Sequence, residues 1–143
     1  MRDAVARVES FILTIPRDTP YLGALRPGEE PNARGYFVRR GNRTVYPTVD
    51  RNVLVRITTR DGVVGWGETY GIVAPHATTA IIDDLLADFV VGADPFDAPA
   101  VHDRLYDLMR VRGYTSGYYL DALAAIDIAL WDIAAQIAGQ PLH

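Results

Sequence analysis

The chain contains no cysteine, no lysine and no apolar run of the length a membrane helix requires. Without cysteine there are no disulfides, no thiolate metal sites and no cysteine nucleophile. Without lysine, all 14 basic side chains are arginines and no lysine base can be assigned. No segment approaches the ~18 consecutive apolar residues of a membrane span, so no membrane partner is expected. The first nine residues mix charge into apolar positions and form no signal-peptide core, which makes cytoplasmic residence the expectation. A net charge of -4 argues against nucleic acid as a partner. Arg34, Arg39, Arg40 and Arg43 cluster locally, but without the repeated basic-aromatic pattern that nucleic-acid binding needs.

What is present reads as one domain of 143 residues, 49% hydrophobic and 22% charged, large enough to bury roughly 70% of its unfolded surface. Val5 to Ile15 predicts a first strand ending at Pro16. From Pro16 to about Pro47 the chain is punctuated by proline and glycine and carries neither the helical nor the strand period. So long a loop in a compact domain is characteristically a lid or a binding loop, or else disordered. Val53, Val55 and Ile57 then alternate with polar residues, and Asp61-Gly62 signals a hairpin into Val63 to Glu68. Gly65 and Gly67 share one face of that return strand, which predicts a bulge or a close approach by another element.

After Pro75 the period becomes helical. Ile81, Ile82, Leu85, Leu86, Phe89 and Val90 form one stripe that stops at Gly92. Asp97 is the expected N-cap of a second helix carrying Val101, Leu105, Leu108 and Met109. A third helix is expected from about Tyr118 to Ala138, apolar over most of its circumference. The predicted fold class is therefore α+β, a three-stranded antiparallel meander followed by a helical bundle. A helix apolar nearly all round is buried on more than one side, which implies contact with another domain or another subunit. Gly139 and Pro141 close the helix, and the end of the chain reads as a cut rather than a terminus.

Asp61-Gly62-Val63-Val64-Gly65-Trp66-Gly67-Glu68 at the hairpin, Gly92-Ala93-Asp94-Pro95 between helices and Ala125-Ile126-Asp127-Ile128-Ala129-Leu130-Trp131-Asp132-Ile133 on the last helix occur in that order. Together they resemble the N-terminal capping domain of the mandelate racemase/muconate lactonizing enzyme group of the enolase superfamily. The resemblance implies a capping domain over residues 1–138, with 139–143 beginning the linker to a (β/α)-barrel absent from this chain. It implies a parent lyase or isomerase, of the sugar acid dehydratase, lactone cycloisomerase or racemase type, that abstracts the proton α to a carboxylate with the help of Mg²⁺. Metal ligands and acid/base residues would lie on the barrel, so no catalytic and no metal-binding residue is expected in this chain. The expected partners are the chain's own barrel, a small carboxylate substrate of the sugar acid kind, and further copies in a homo-oligomer. The competing reading is a free-standing α+β module that dimerises through its apolar last helix and has no activity.

In the family two loops fold over the barrel mouth, and here they correspond to roughly Arg17 to Val49 and Thr69 to His76. Arginine forks suit carboxylates and tyrosine hydroxyls suit polyhydroxy chains. Tyr21, Arg26 and Tyr36 from the first loop, with Tyr70 and His76 from the second, are the candidate substrate-binding residues. Arg34, Arg39, Arg40, Arg43 and Tyr46 lie in the same region, where solvation or bracing of the loop is the competing reading. His102 is expected to be solvated. Asp127 and Asp132 are expected to make structural hydrogen bonds or ion pairs, since a carboxylate on an apolar face is costly unless partnered. Glu68 is expected to be structural. Gly65 to Gly71 fails the dinucleotide-binding pattern because Tyr70 stands where its third glycine would be.

Overall fold

A computed structural model describes residues 3–142 of the chain; His143, the last position of the expected linker, lies outside the described residues. Three long strands, β1 (Val5–Ile15), β4 (Asp50–Thr59) and β5 (Val64–Tyr70), form an antiparallel sheet in the order β1-β4-β5. The inward face of β4 is the predicted Val53, Val55 and Ile57, all fully buried. The opposite face pairs Phe11 with Leu54 and Glu9 with Arg56, which in turn pairs with Trp66. On that outer face the Arg56 guanidinium lies over Phe11 and Trp66 at 5.3 and 5.8 Å.

The helical half follows the predicted order. Pro75–Ala80 (α1), a π-helical stretch Ile81–Leu86 and Ala87–Val90 (α2) form one continuous segment. Ile82, Leu86 and Val90, four residues apart, point into the core. The π-helical turn departs from the regular period expected there; its i→i+5 bonding still leaves one stripe facing the sheet. Helix α3 (Ala98–Arg110) starts at Asp97 as expected, but the Asp97 side chain makes no capping bond. Asp94 does the capping one turn earlier, accepting from the Phe96 N–H at 2.9 Å.

Helix α4 (Tyr118–Ala138) matches its predicted span and lies across the sheet. Gly65 and Gly67 are where it touches. A methyl group on Gly67 would overlap the Ala125 carbonyl, and one on Gly65 would overlap the Ala129 carbonyl and the Ile133 side chain. The helix also hydrogen-bonds the edge strand through two of its polar side chains. Asp132 accepts from the Trp66 N–H at 2.8 Å, and Gln136 donates to the Val64 carbonyl at 2.8 Å. Asp132 is therefore structural, as expected, although its partner is backbone rather than arginine.

The segment between β1 and β4 departs from expectation. Instead of an aperiodic loop it contains a hairpin, β2 (Tyr36–Arg39) with β3 (Thr44–Pro47). The hairpin is organised around a buried ion pair, Arg39 Nη1 to Glu29 Oε2 at 2.7 Å. Arg39 also donates to the carbonyls of Tyr21, Gly23 and Ala24 at 2.8 to 3.0 Å. Glu29 accepts from the N–H groups of Arg26 and Arg40 at 2.9 and 2.8 Å. Burial pushes the Glu29 carboxyl up, but those N–H groups and the Arg39 guanidinium outweigh it and hold the carboxyl below its ordinary value. With its guanidinium so engaged, Arg39 braces the loop and is not free to hold a ligand.

Gly67→Ala forces α4 off β5 and is expected to destabilise the chain by about 1–3 kcal/mol or more, read as a lower urea midpoint. Thr115→Ala, at an exposed turn, should stay within about 0.5 kcal/mol. For the loop, the depressed Glu29 carboxyl contributes stability above its ordinary value of 4.5, and that stability is lost as pH falls through the lower folded-state value. At neutral pH Glu29→Gln strands the buried Arg39 charge and should speed proteolysis between Arg17 and Val49. In acid, where Glu29 is itself neutral, native and variant rates should converge.

Candidate functional site

The two loops singled out from the sequence meet at the end of the sheet where β1 finishes and β4 begins. Asn32 starts the arrangement by accepting from the N–H groups of Arg34 and Tyr36 at 2.9 and 3.0 Å, a side-chain turn that needs Gly35 at φ +77°. Tyr36 then reaches the second loop. Its hydroxyl accepts from the Ala74 N–H at 3.0 Å, and Ala74 holds the left-handed conformation at φ +50°, uncommon for a residue with a side chain. One tyrosine thus fastens the loop before α1 to the loop before β2.

Behind Tyr36 lies a pocket of about 470 Å³ lined by Ile12, Thr14, Arg34, Tyr36, Arg51, Pro75 and His76. Arg51 stacks its guanidinium on the Tyr36 ring at 4.9 Å and donates to the Arg34 carbonyl at 3.2 Å. Neither Arg34 nor Arg51 forms an ion pair with an acidic side chain among the described residues. The lining contains no Asp or Glu. Two of the five candidates, Tyr36 and His76, therefore share one pocket.

Tyr21 and Tyr70 belong to a different cluster. The Tyr21 ring stacks on Tyr46 with centroids 5.7 Å apart, Phe37 packs against Tyr46 at 6.3 Å, and Arg17 covers Tyr21 at 5.5 Å. Burial, together with the nearby hydroxyls of Tyr21, Tyr46 and Tyr118 and the Asp121 carboxylate, pushes the Tyr70 hydroxyl above its ordinary value. Tyr70 therefore remains a neutral donor well past neutral pH. The ring is 53% exposed, so this donor is open to a ligand. Arg26 is exposed, lies outside the pocket lining, and its backbone N–H serves Glu29.

The sequence reading missed Arg51. Its place two residues before Val53, on the inward parity of β4 and opposite Thr14, was the available signal. An arginine on the core-facing side of a strand end marks a cavity there or a partner anion.

The remaining acidic residues do not assemble a site. Glu68 accepts a hydrogen bond from Asn52 across the sheet and is structural. Burial raises the Asp127 carboxyl, with His102 pulling it back down. His102 is thus half-buried toward α4 rather than fully solvated. Among the described residues no three His, Cys, Asp or Glu side chains converge on a point where a metal ion would fit. No helix among them is long and apolar enough to cross a membrane.

Comparison with known proteins supports the same assignment. The N-terminal domain of the mandelate racemase / muconate lactonizing enzyme family matches residues 42–143. The D-xylonate dehydratase of Haloferax volcanii is 34% identical over the whole chain, which covers 30% of that protein. A member of the enolase superfamily from Agrobacterium tumefaciens superposes with a TM-score of 0.94 at 67% identity, over 99% of this chain and 37% of its own. The L-talarate/galactarate dehydratase of Salmonella typhimurium, solved with Mg and L-lyxarohydroxamate, superposes at 0.76 with 27% identity, over 99% of this chain and 33% of its own. The chain thus spans about a third of the length of these relatives. With the family matched over most of its length, the chain belongs to the mandelate racemase/muconate lactonizing enzyme family as its N-terminal domain.

Proposed function

We propose that this chain caps the active site of a sugar acid lyase or isomerase and determines which substrate fits, while bond-making residues lie outside it. The observation that carries the reading is that both loops converge on one arginine-lined pocket. Closing such loops over a substrate excludes water and strengthens every hydrogen bond inside. The Tyr36 hydroxyl accepts from Ala74 and keeps its own proton to donate to a substrate hydroxyl. Thr14 adds a further hydroxyl partner in the pocket, and the neutral Tyr70 offers another outside it, in the neighbouring tyrosine cluster.

Mg²⁺ does not fit the described residues, because no three of their carboxylates or histidines converge on one point. We assign the metal, and the proton transfer α to the carboxylate, to a barrel beyond residues 139–143. The docking face for that barrel is the exposed side of α4. There Trp131, Phe96 and Leu142 border a shallow apolar hollow of about 270 Å³. Apolar patches of this kind mark interaction surfaces. Residues 1–138 then form the capping unit, in a cytoplasmic homo-oligomeric enzyme.

A chimera tests this directly. Replacing the matching third of the Salmonella typhimurium L-talarate/galactarate dehydratase with this chain should give a folded protein that dehydrates or isomerises a sugar acid in the presence of Mg²⁺. The isolated chain should exchange no substrate α-proton for deuterium. Exchange by the isolated chain overturns the reading. So does a folded chimera that is inert toward every sugar acid its parent turns over.

A further inference from the structure

We propose that the outer face of the three-stranded sheet is an interface between two copies of this chain, packed sheet on sheet with their strands running in opposite directions. It goes beyond the capping reading and takes from it only that a barrel docks on α4.

The strand register fixes which side chains share that face. Phe11 lies beside Leu54, Leu13 beside Asn52 and Ile15 beside Asp50, and across β4 Trp66 lies beside Arg56 and Glu68 beside Leu54. An antiparallel sheet with one face in water turns its polar side chains outward. Here both faces are apolar. Phe11, Leu13, Ile15 and Trp66 are 39 to 45% exposed, with Leu54 half-buried among them. Contiguous apolar surface of this kind marks an interaction site. Helix α4 packs on the opposite face of the sheet, at Gly65 and Gly67, so a barrel seated on α4 leaves the outer face open.

Charge selects a second copy as the occupant. Toward one end of the face Arg7 and Arg56 share the carboxylate of Glu9, at 3.0 and 2.9 Å, which leaves one positive charge over. One step further along, Glu68 accepts a hydrogen bond from the neutral Asn52 and forms no ion pair among the described residues. At the far end Asp50 is neutralised by Arg17. The face is therefore positive on one side of Leu54 and negative on the other, and is complementary to itself when reversed. A twofold axis across the strands brings Arg56 of each copy toward Glu68 of the other, as a self-complementary interface requires. An axis along β4 would set Arg56 over Arg56, and like charges so placed repel.

Aligned sheets interdigitate their side chains in a layer about 10 Å thick, which Phe11, Leu54 and Trp66 from both copies would fill. Three strands about 4.8 Å apart, with β5 seven residues long, give a face of roughly 15 by 25 Å per copy. That is the low end of interface sizes, so association is reversible.

The chain holds two tryptophans, Trp66 on this face and Trp131 on α4, so each face has its own fluorescent reporter. Sedimentation of the 143-residue chain across the micromolar range should show a monomer in exchange with a dimer. With Trp131→Phe, the remaining Trp66 emission should shift to the blue as dimers form. With Trp66→Phe, the Trp131 emission should not respond to concentration. Arg56→Glu and Glu68→Arg should each weaken dimerisation about tenfold, and an equimolar mixture of the two should restore it, because each copy then meets the opposite charge on its partner. Leu13→Asp, at an exposed position, should weaken it as much without touching either charge. The amide signals of Gly65 and Gly67, under α4, report whether each variant is folded. A chain that stays monomeric, an association that Trp131 reports and Trp66 does not, or a dimer indifferent to both Glu68→Arg and Leu13→Asp overturns the interface. A mixture of folded charge variants that stays apart overturns the opposed arrangement of strands. None of these readouts depends on turnover, so an inert chimera counts against the capping reading and leaves the interface standing.

Discussion

The fold depends on one close approach, that of α4 to β5. At Gly65 and Gly67 the strand offers backbone alone, and the helix meets it with Ala125 and Ala129. With side chains missing from the strand and small ones on the helix, two backbones come within contact distance and dispersion acts over their full length. Asp132 and Gln136 then bond the N–H of Trp66 and the carbonyl of Val64 on the edge strand. An edge strand normally leaves such groups open to pairing with another chain, and here a helix occupies them. Because β5 is fixed, the loop that follows it is aimed. Gly71 passes tightly over the Asn52 and Val53 backbone, and Ala74 arrives where Tyr36 can hold it.

The long loop obeys a different principle. It has little apolar surface to bury, Phe37 being its one fully buried large side chain. Its order comes instead from a carboxylate and a guanidinium that draw five separate backbone positions together. Such a brace responds to charge rather than to hydrophobic packing, so the loop can loosen while the sheet and helices stay folded.

The same contrast explains what could be read from the residues. The alternation Val53-Val55-Ile57, the Gly65-Gly67 face and the 21-residue α4 were legible because apolar burial imposes its period on the sequence. The β2–β3 hairpin was not, because it inverts the usual pattern. Arg39 is 3% exposed and Val38 55% exposed, so a period-2 reading assigns the wrong face. The π-helical turn escaped notice because a stripe spaced by three and four residues looks alike in either helix. Tyr36 and His76, singled out from their loop positions, line the same pocket. Arg51 was not singled out because it lies within a strand rather than a loop, although its parity with Val53 and its pairing with Thr14 put it on the pocket side.

The use of arginine as the sole basic residue ties these parts together. A guanidinium can stack on an aromatic ring while donating in its plane, which an ammonium cannot do, and the chain uses that geometry at Arg17, Arg39, Arg51 and Arg56. Three of the four also meet a carboxylate supplied by the chain. Arg51 is held by the same kind of stacking and given none. Arg34, which lines the same pocket, is likewise in no ion pair among the described residues.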